Sequence, residues 1–232
     1  MKNFKTAFVT LSTILIYCFS ISSAQAKDEA VKISNALKVI KEIAAIPKRK
    51  IPPVLLNEAS AIVIIPKARK NDFMASGGNA VGVLLIHDKS GAWSNPVFLK
   101  ISGGTLGWQI VADPLDVILV FKDKKNIDAV LKGRFVIDTK VKIESGWLGP
   151  NLKGATSKEL KAEIASYLRS HGKLAENFTI AGTTLLIDSA SNDTFYGKSK
   201  IEVPEILSGK DIKTTDDVKA LQKALSDYSA SK

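Results

Sequence analysis

Ala61-Ile62-Val63-Ile64-Ile65-Pro66-Lys67 is the stretch that decides the fold. It is a short, unbroken apolar run rich in β-branched residues, and it stops at a proline. A run of that length bounded by a breaker reads as a strand buried on both faces. Downstream, Val83-Leu84-Leu85-Ile86 and Leu115 to Phe121 have the same character, and Val97, Leu99 and Ile101 alternate around Lys100. Arg134 to Glu144 alternates most clearly, with Phe135, Ile137, Val141 and Ile143 on one face and Asp138, Lys140, Lys142 and Glu144 on the other. Phe178 to Ile187 adds a further strand. Gly77-Gly78, Gly91, Gly103-Gly104 and Gly146 fall between these runs, where turns or bulges belong.

Helical periodicity flanks this β-rich centre. Residues 28–46 carry Ile33, Leu37, Ile40 and Ala44 on one stripe with Lys32, Lys38 and Lys41 off it, and Pro47 ends the pattern. Pro53 suits the first position of a short helix through about Ala59. Helical spacing returns at 124–132, at 158–169 (Leu160, Ile164, Tyr167, Leu168) and at 215–229 (Val218, Leu221, Leu225, Tyr228). Central strands with flanking helices predict an α+β fold: a strongly curved, mainly antiparallel β-sheet or partly closed barrel with flanking helices. Residues 27–60 form an N-terminal amphipathic helical segment, and 61–232 form the β-rich core with C-terminal helices.

Residues 1–26 read as a cleavable secretory leader. Lys2 and Lys5 form a basic start, residues 7–22 carry no charge, and Ala24-Gln25-Ala26 has the small-x-small form of a peptidase site. Cys18 follows Tyr17, not the small residue a lipidation site needs, so it belongs to the leader's apolar stretch. The processed chain then holds no cysteine, and so no disulfide, thiolate metal site or thiol nucleophile. A periplasmic or secreted location is expected. The formal charge of +10 falls to +8 once Lys2 and Lys5 leave. That excess favours anionic surfaces, and export disfavours nucleic acid as a partner class.

Motifs for catalysis are sparse. His87 and His171 have no second ligand at metal spacing, and no GxSxG or Walker pattern occurs. No cofactor and no metal are implied. Gly77–Gly82 and Gly103–Gly107 lie between strand-like runs, unlike phosphate cradles, which open helices. Asp113, Asp116 and His87 are the residues an unfamiliar enzyme site would draw on, although Asp and Pro114 in a turn account for the first two. Basic clusters are clearer: Lys48-Arg49-Lys50, and Lys67 with Arg69 and Lys70. Near an anionic membrane each such residue contributes about 1 kcal/mol.

Several ordered blocks resemble the SYLF-domain family, also described as the Las-seventeen-binding or actin-regulator type. They are Ala61–Lys67, Phe73–Gly78 with Gly82–Leu85, Trp93-Ser94-Asn95-Pro96, Gly103–Ile110, Asp116–Phe121, Ser166–Ser170 and Phe195-Tyr196-Gly197. Asp72, Ala80 and Val111 depart from glycines of that pattern. The resemblance covers roughly residues 35–210 and implies a binding protein, not an enzyme. Intracellular members of that family are associated with phosphoinositide membranes and actin through an N-terminal amphipathic helix and basic residues. For an exported chain, binding of an anionic lipid surface is the trait that transfers. Lys38, Lys41, Lys48, Arg49 and Lys50 are its counterparts by position, and Lys67 lies in the matched Pro-Lys motif. An envelope protein partner bound on the glycine-rich β core is the alternative.

Overall fold

The computed structural model describes residues 27–46, 51–69, 72, 80–103, 105–107, 114–137, 143–145, 163–170, 173–175, 179–212 and 214–231. Its centre is β1 (Ala61–Ala68), which pairs antiparallel with β2 (Ala80–Ile86) on one side and β5 (Leu115–Phe121) on the other. The continuous apolar run has a direct cause: Val63 and Ile65 face one core layer, Ile62 and Ile64 the other. Beyond β2 lie β3 (Val97–Ser102), β11 (Thr183–Ile187) and β6 (Arg134–Ile137). Beyond β5 lies β8 (Ile164–Ser170), whose outer edge takes β7 (Ile143–Ser145) and β9 (Lys173–Ala175). All of these pairs are antiparallel except β7 with β8. A separate two-stranded sheet joins β4 (Thr105–Gly107) to β10 (Thr179–Ala181).

Chain length forces this sheet to curl. From β6 to β7 there are seven strand spacings, about 34 Å if the sheet were flat. Six peptide steps lead from Ile137 to Ile143, a reach of at most about 22 Å. The two edges are therefore drawn together, as the expected curved sheet requires.

Helices cover both faces. Inside the curl, α3 (Lys124–Leu131) and α5 (Val203–Ser208) contribute Ile127, Val130 and Ile206 to the layer holding Leu99, Leu119 and Leu168. The outer face is covered by α1 (27–44), α2 (Pro53–Asn57) and α6 (Asp216–Ser229). The Tyr228 hydroxyl donates to the Ile51 carbonyl at 2.8 Å and ties α6 to the start of α2. Burial pushes the phenols of Tyr167 and Tyr228 well above the usual tyrosine range. A further helix, α4 (Ser189–Tyr196), starts at Asp188, whose carboxylate accepts the Ser191 N–H.

Five sequence expectations are corrected. Residues 164–170 form β8, not the end of a helix over 158–169; residues 158–162 lie outside the described residues. The alternation from Arg134 to Glu144 is not one strand, because β6 and β7 stand at opposite ends of the sheet. Phe178 to Ile187 divides at Gly182, whose φ of 71° sends β10 and β11 into different sheets. Pro66 does not end β1. The register shifts between Ile65 and Ala68, so Pro66 and Lys67 form a bulge, the one place a central strand accepts proline. Gly82, expected between strand-like runs, lies within β2: a Cβ there would lie 3.0 Å from Ile65 Cγ1 and 3.1 Å from the Ile64 carbonyl oxygen, so it serves close packing.

Candidate functional site

The amphipathic helix is docked. Ile33, Ala36, Val39, Ile40 and Ile43 are each at most 2% exposed and share a core layer with Ile62, Phe98 and Ile118. Ala44, expected on the apolar stripe, is exposed, and Val39 and Ile43 take its place. The face that would enter a bilayer is thus already spent on the sheet. Polar ties secure both halves of the helix. Near its start, buried Glu29 accepts a 2.9 Å hydrogen bond from the Ser191 hydroxyl and pairs with Lys32 at 2.7 Å. Ser191 also lies 2.8 Å from Asp188, which pairs with Lys100 at 3.2 Å.

Near the other end, Glu42 pairs with Arg169 of β8, and Arg169 pairs with Asp116 of β5. Asp116 and Arg169 are direct cross-strand partners. Asp116 also accepts the Lys67 N–H at 2.9 Å. Lys67 has a φ of 55°, a left-handed conformation that a lysine adopts only when its surroundings impose it. Between α1, the bulge and these strands is a cleft of about 230 Å³. It is walled by Asn35, Lys38, Val39, Glu42, Pro66, Lys67, Pro114, Asp116 and Arg169.

The fold brings some predicted residues together and not others. Lys38 and Lys67, 29 positions apart in sequence, line the same cleft. Lys41 points outward from α1 and Arg69 is exposed beyond the bulge. Lys48, Arg49, Lys50 and Lys70 lie outside the described residues, as do Asp113, His171 and Gly77-Gly78. His87 continues β2 from the end opposite Asp116. Its ring stacks on Trp93 at 4.3 Å, and its Nδ1–H donates to the Ala59 carbonyl at 3.1 Å. Along β1 the two sites are about 20 Å apart, so Asp116 and His87 share no pocket. Among the described residues no three His, Cys, Asp or Glu are placed to hold a metal, and no helix is long and apolar enough to cross a membrane.

A second cleft of about 450 Å³ lies between the Trp93-Ser94-Asn95 turn, α5 and the start of α6. Its polar groups serve one another: Asn95 Nδ2 donates to the Ile206 carbonyl, and Gln222 to the Trp93 carbonyl. Asp88, at its rim, is held below its ordinary pKa by the Ser90 hydroxyl and the Ala92 amide. Sequence reasoning missed Arg169 and Glu42 as site residues. A strand reading of 164–170 would have exposed the first, because a charge on a buried strand demands carboxylate partners.

Residues 102–228 match the family model described as Ysc84, Las17-binding protein actin regulator. The chain belongs to this family. It is 26% identical over 188 residues to SH3 domain-containing YSC84-like protein 1 of Xenopus laevis, covering 78% of the chain and 56% of the relative. The Homo sapiens protein of the same name is 25% identical over 186 residues, covering 79% and 54%. Protein YSC84 of Saccharomyces cerevisiae is 26% identical over 163 residues, covering 69% and 34%. The chain thus spans about half the length, or less, of the relatives it matches.

Proposed function

We propose that this protein binds anionic lipid surfaces in the cell envelope and catalyses no reaction. One observation carries the reading. The helix that presents Lys38 and Lys41 to solvent has Ile33, Ala36, Val39, Ile40 and Ile43 buried against the sheet, so a rigid cationic surface is available without refolding. Adsorption through charge, not insertion, follows from that arrangement. Lys48, Arg49 and Lys50 continue the same basic segment in sequence, and Lys67 and Arg69 are exposed around the bulge.

Co-sedimentation with vesicles tests it. Binding to anionic vesicles is expected, with none to neutral ones, and it should fade as salt shortens the Debye length from about 30 Å to about 8 Å. Converting Lys48, Arg49 and Lys50 together to Glu should weaken partitioning about a hundredfold or more, since each cation is worth about 1 kcal/mol. Equal binding by the variant would sink the reading.

The envelope location rests on residues 1–26, which we take to be removed after Ala26. Intact mass of the exported product should correspond to a chain starting at Lys27. A product starting at Met1 would remove the export step. A second reading has its own support: the yeast relative LAS seventeen-binding protein 3 and the family description both name a protein partner. A protein that co-purifies with this chain, with no vesicle binding in any salt, would favour it.

A further inference from the structure

We propose that the cleft beneath α1 is a subsite for one phosphate monoester group, and that Glu42 is its built-in competitor. The inference rests on the anionic-surface reading and adds the chemistry of the group recognised. Three cations reach the cleft from three separate elements: Lys38 from α1, Lys67 from the β1 bulge and Arg169 from β8. Arg169 is only 8% exposed, so its guanidinium acts in a medium where charge pairing is stronger than in water. Both terminal nitrogens bind carboxylates, yet its buried Nε has no hydrogen-bond partner among the described residues.

The two carboxylates differ. Asp116 is 13% exposed and held from a second direction by the Lys67 N–H. It belongs to the frame. Glu42 is 40% exposed, and Lys38 stands 3.8 Å from it. It sits on the helix surface and can turn outward without disturbing the core.

Charge selects the ligand. With Glu42 in place the three cations face two carboxylates, a net charge of +1. With Glu42 turned out the net charge is +2, which matches a monoester phosphate at about −1.5 to −2 better than a diester or carboxylate. Planar guanidinium and two flexible ammonium groups are also the donor set such a group uses. The strained Lys67 backbone has a role in this picture, because a bulge re-aims the side chain it carries.

The test compares the protein with its Glu42→Gln and Lys67→Gln variants. Both positions are partly or fully exposed, so both variants should fold. Inorganic phosphate is titrated at constant ionic strength and followed by amide chemical shifts. Saturable binding is expected, about tenfold tighter in Glu42→Gln because one charge-assisted competitor is gone, and several-fold weaker in Lys67→Gln. Phosphatidic acid and phosphatidylglycerol vesicles of equal surface charge then identify the source. A preference for phosphatidic acid that grows in Glu42→Gln assigns a lipid headgroup; tightened phosphate binding without vesicle preference assigns a soluble phosphate ester. Absence of saturable binding, or a Glu42→Gln affinity equal to or below that of the unmodified protein, overturns the subsite. Salt-sensitive vesicle adsorption would survive that outcome, and loss of all vesicle binding with phosphate binding intact would instead overturn the surface reading.

Discussion

Arg169→Met should lower unfolding free energy by about 3–5 kcal/mol, the usual cost of removing one partner from a buried ion network. The side chain of Arg169 is 10% exposed and that of Asp116 is 13%. Removing the guanidinium leaves Asp116 charged and largely out of water, with the Lys67 N–H from the bulge as its remaining hydrogen-bond donor among the described residues. It also frees Glu42 and so loosens α1 from β8. Urea unfolding measures the effect, and the slope should stay constant while the midpoint falls. Combining Arg169→Met with Asp116→Asn and Glu42→Gln should recover most of the loss, because no uncompensated charge then remains. A single-variant cost under about 1 kcal/mol would mean that the network is solvated and anchors nothing.

Arg169 also marks where the sequence stops being readable. Its strand reads as helix in the sequence because Ile164 and Leu168 are four residues apart. That spacing satisfies a helix, where they would lie one turn apart, and a strand, where an even separation keeps them on one face. In the fold Ile164 and Leu168 enter the inner core layer while Ala165 and Tyr167 enter the outer one. Two-sided burial erases the alternation that would have decided the matter. β1 and β5 escaped the ambiguity because their β-branched runs are short and bounded. Arg134 to Glu144 misleads for another reason: the alternation holds over β6, but strand pairing places β6 and β7 at opposite ends of the strand order.

The site was legible only in its charges. Lys38 and Lys67 could be singled out as cations, but their meeting depends on α1 crossing the outer face of the sheet. One contact across that junction, Glu42 with Arg169, joins residues 127 positions apart. No local pattern encodes such a pairing. The α1 stripe shows the same limit. Ile33 and Ile40 are correctly placed, while Ala44 turns out exposed and Ile43 buried. Periodicity fixes a helical face only to within a neighbouring position, and the sheet beneath decides the remainder.

Ile40→Ala should cost about 2–5 kcal/mol of stability, as for other fully buried large-to-small changes, and should leave vesicle binding unchanged wherever the variant is folded. Ile40 is 0% exposed against the sheet. Burial of Ile33, Val39, Ile40 and Ile43 together is worth roughly 6–12 kcal/mol at about 1.5–3 kcal/mol each. Detaching α1 would forfeit an amount comparable to the whole stability of an ordinary domain, about 5–15 kcal/mol. A bilayer would compensate the helix for its lost contacts, but the bared outer face of the sheet, with Ile62, Phe98 and Ile118, would stay in water. Adsorption of the intact surface needs no such exposure. Weakening the docking of α1 therefore discriminates between the two modes. If Ile40→Ala binds anionic vesicles more tightly than the unmodified protein, the helix acts by leaving the sheet and inserting. If affinity is unchanged while the urea midpoint falls, the docked helix is itself the binding surface, and its apolar residues serve the fold alone.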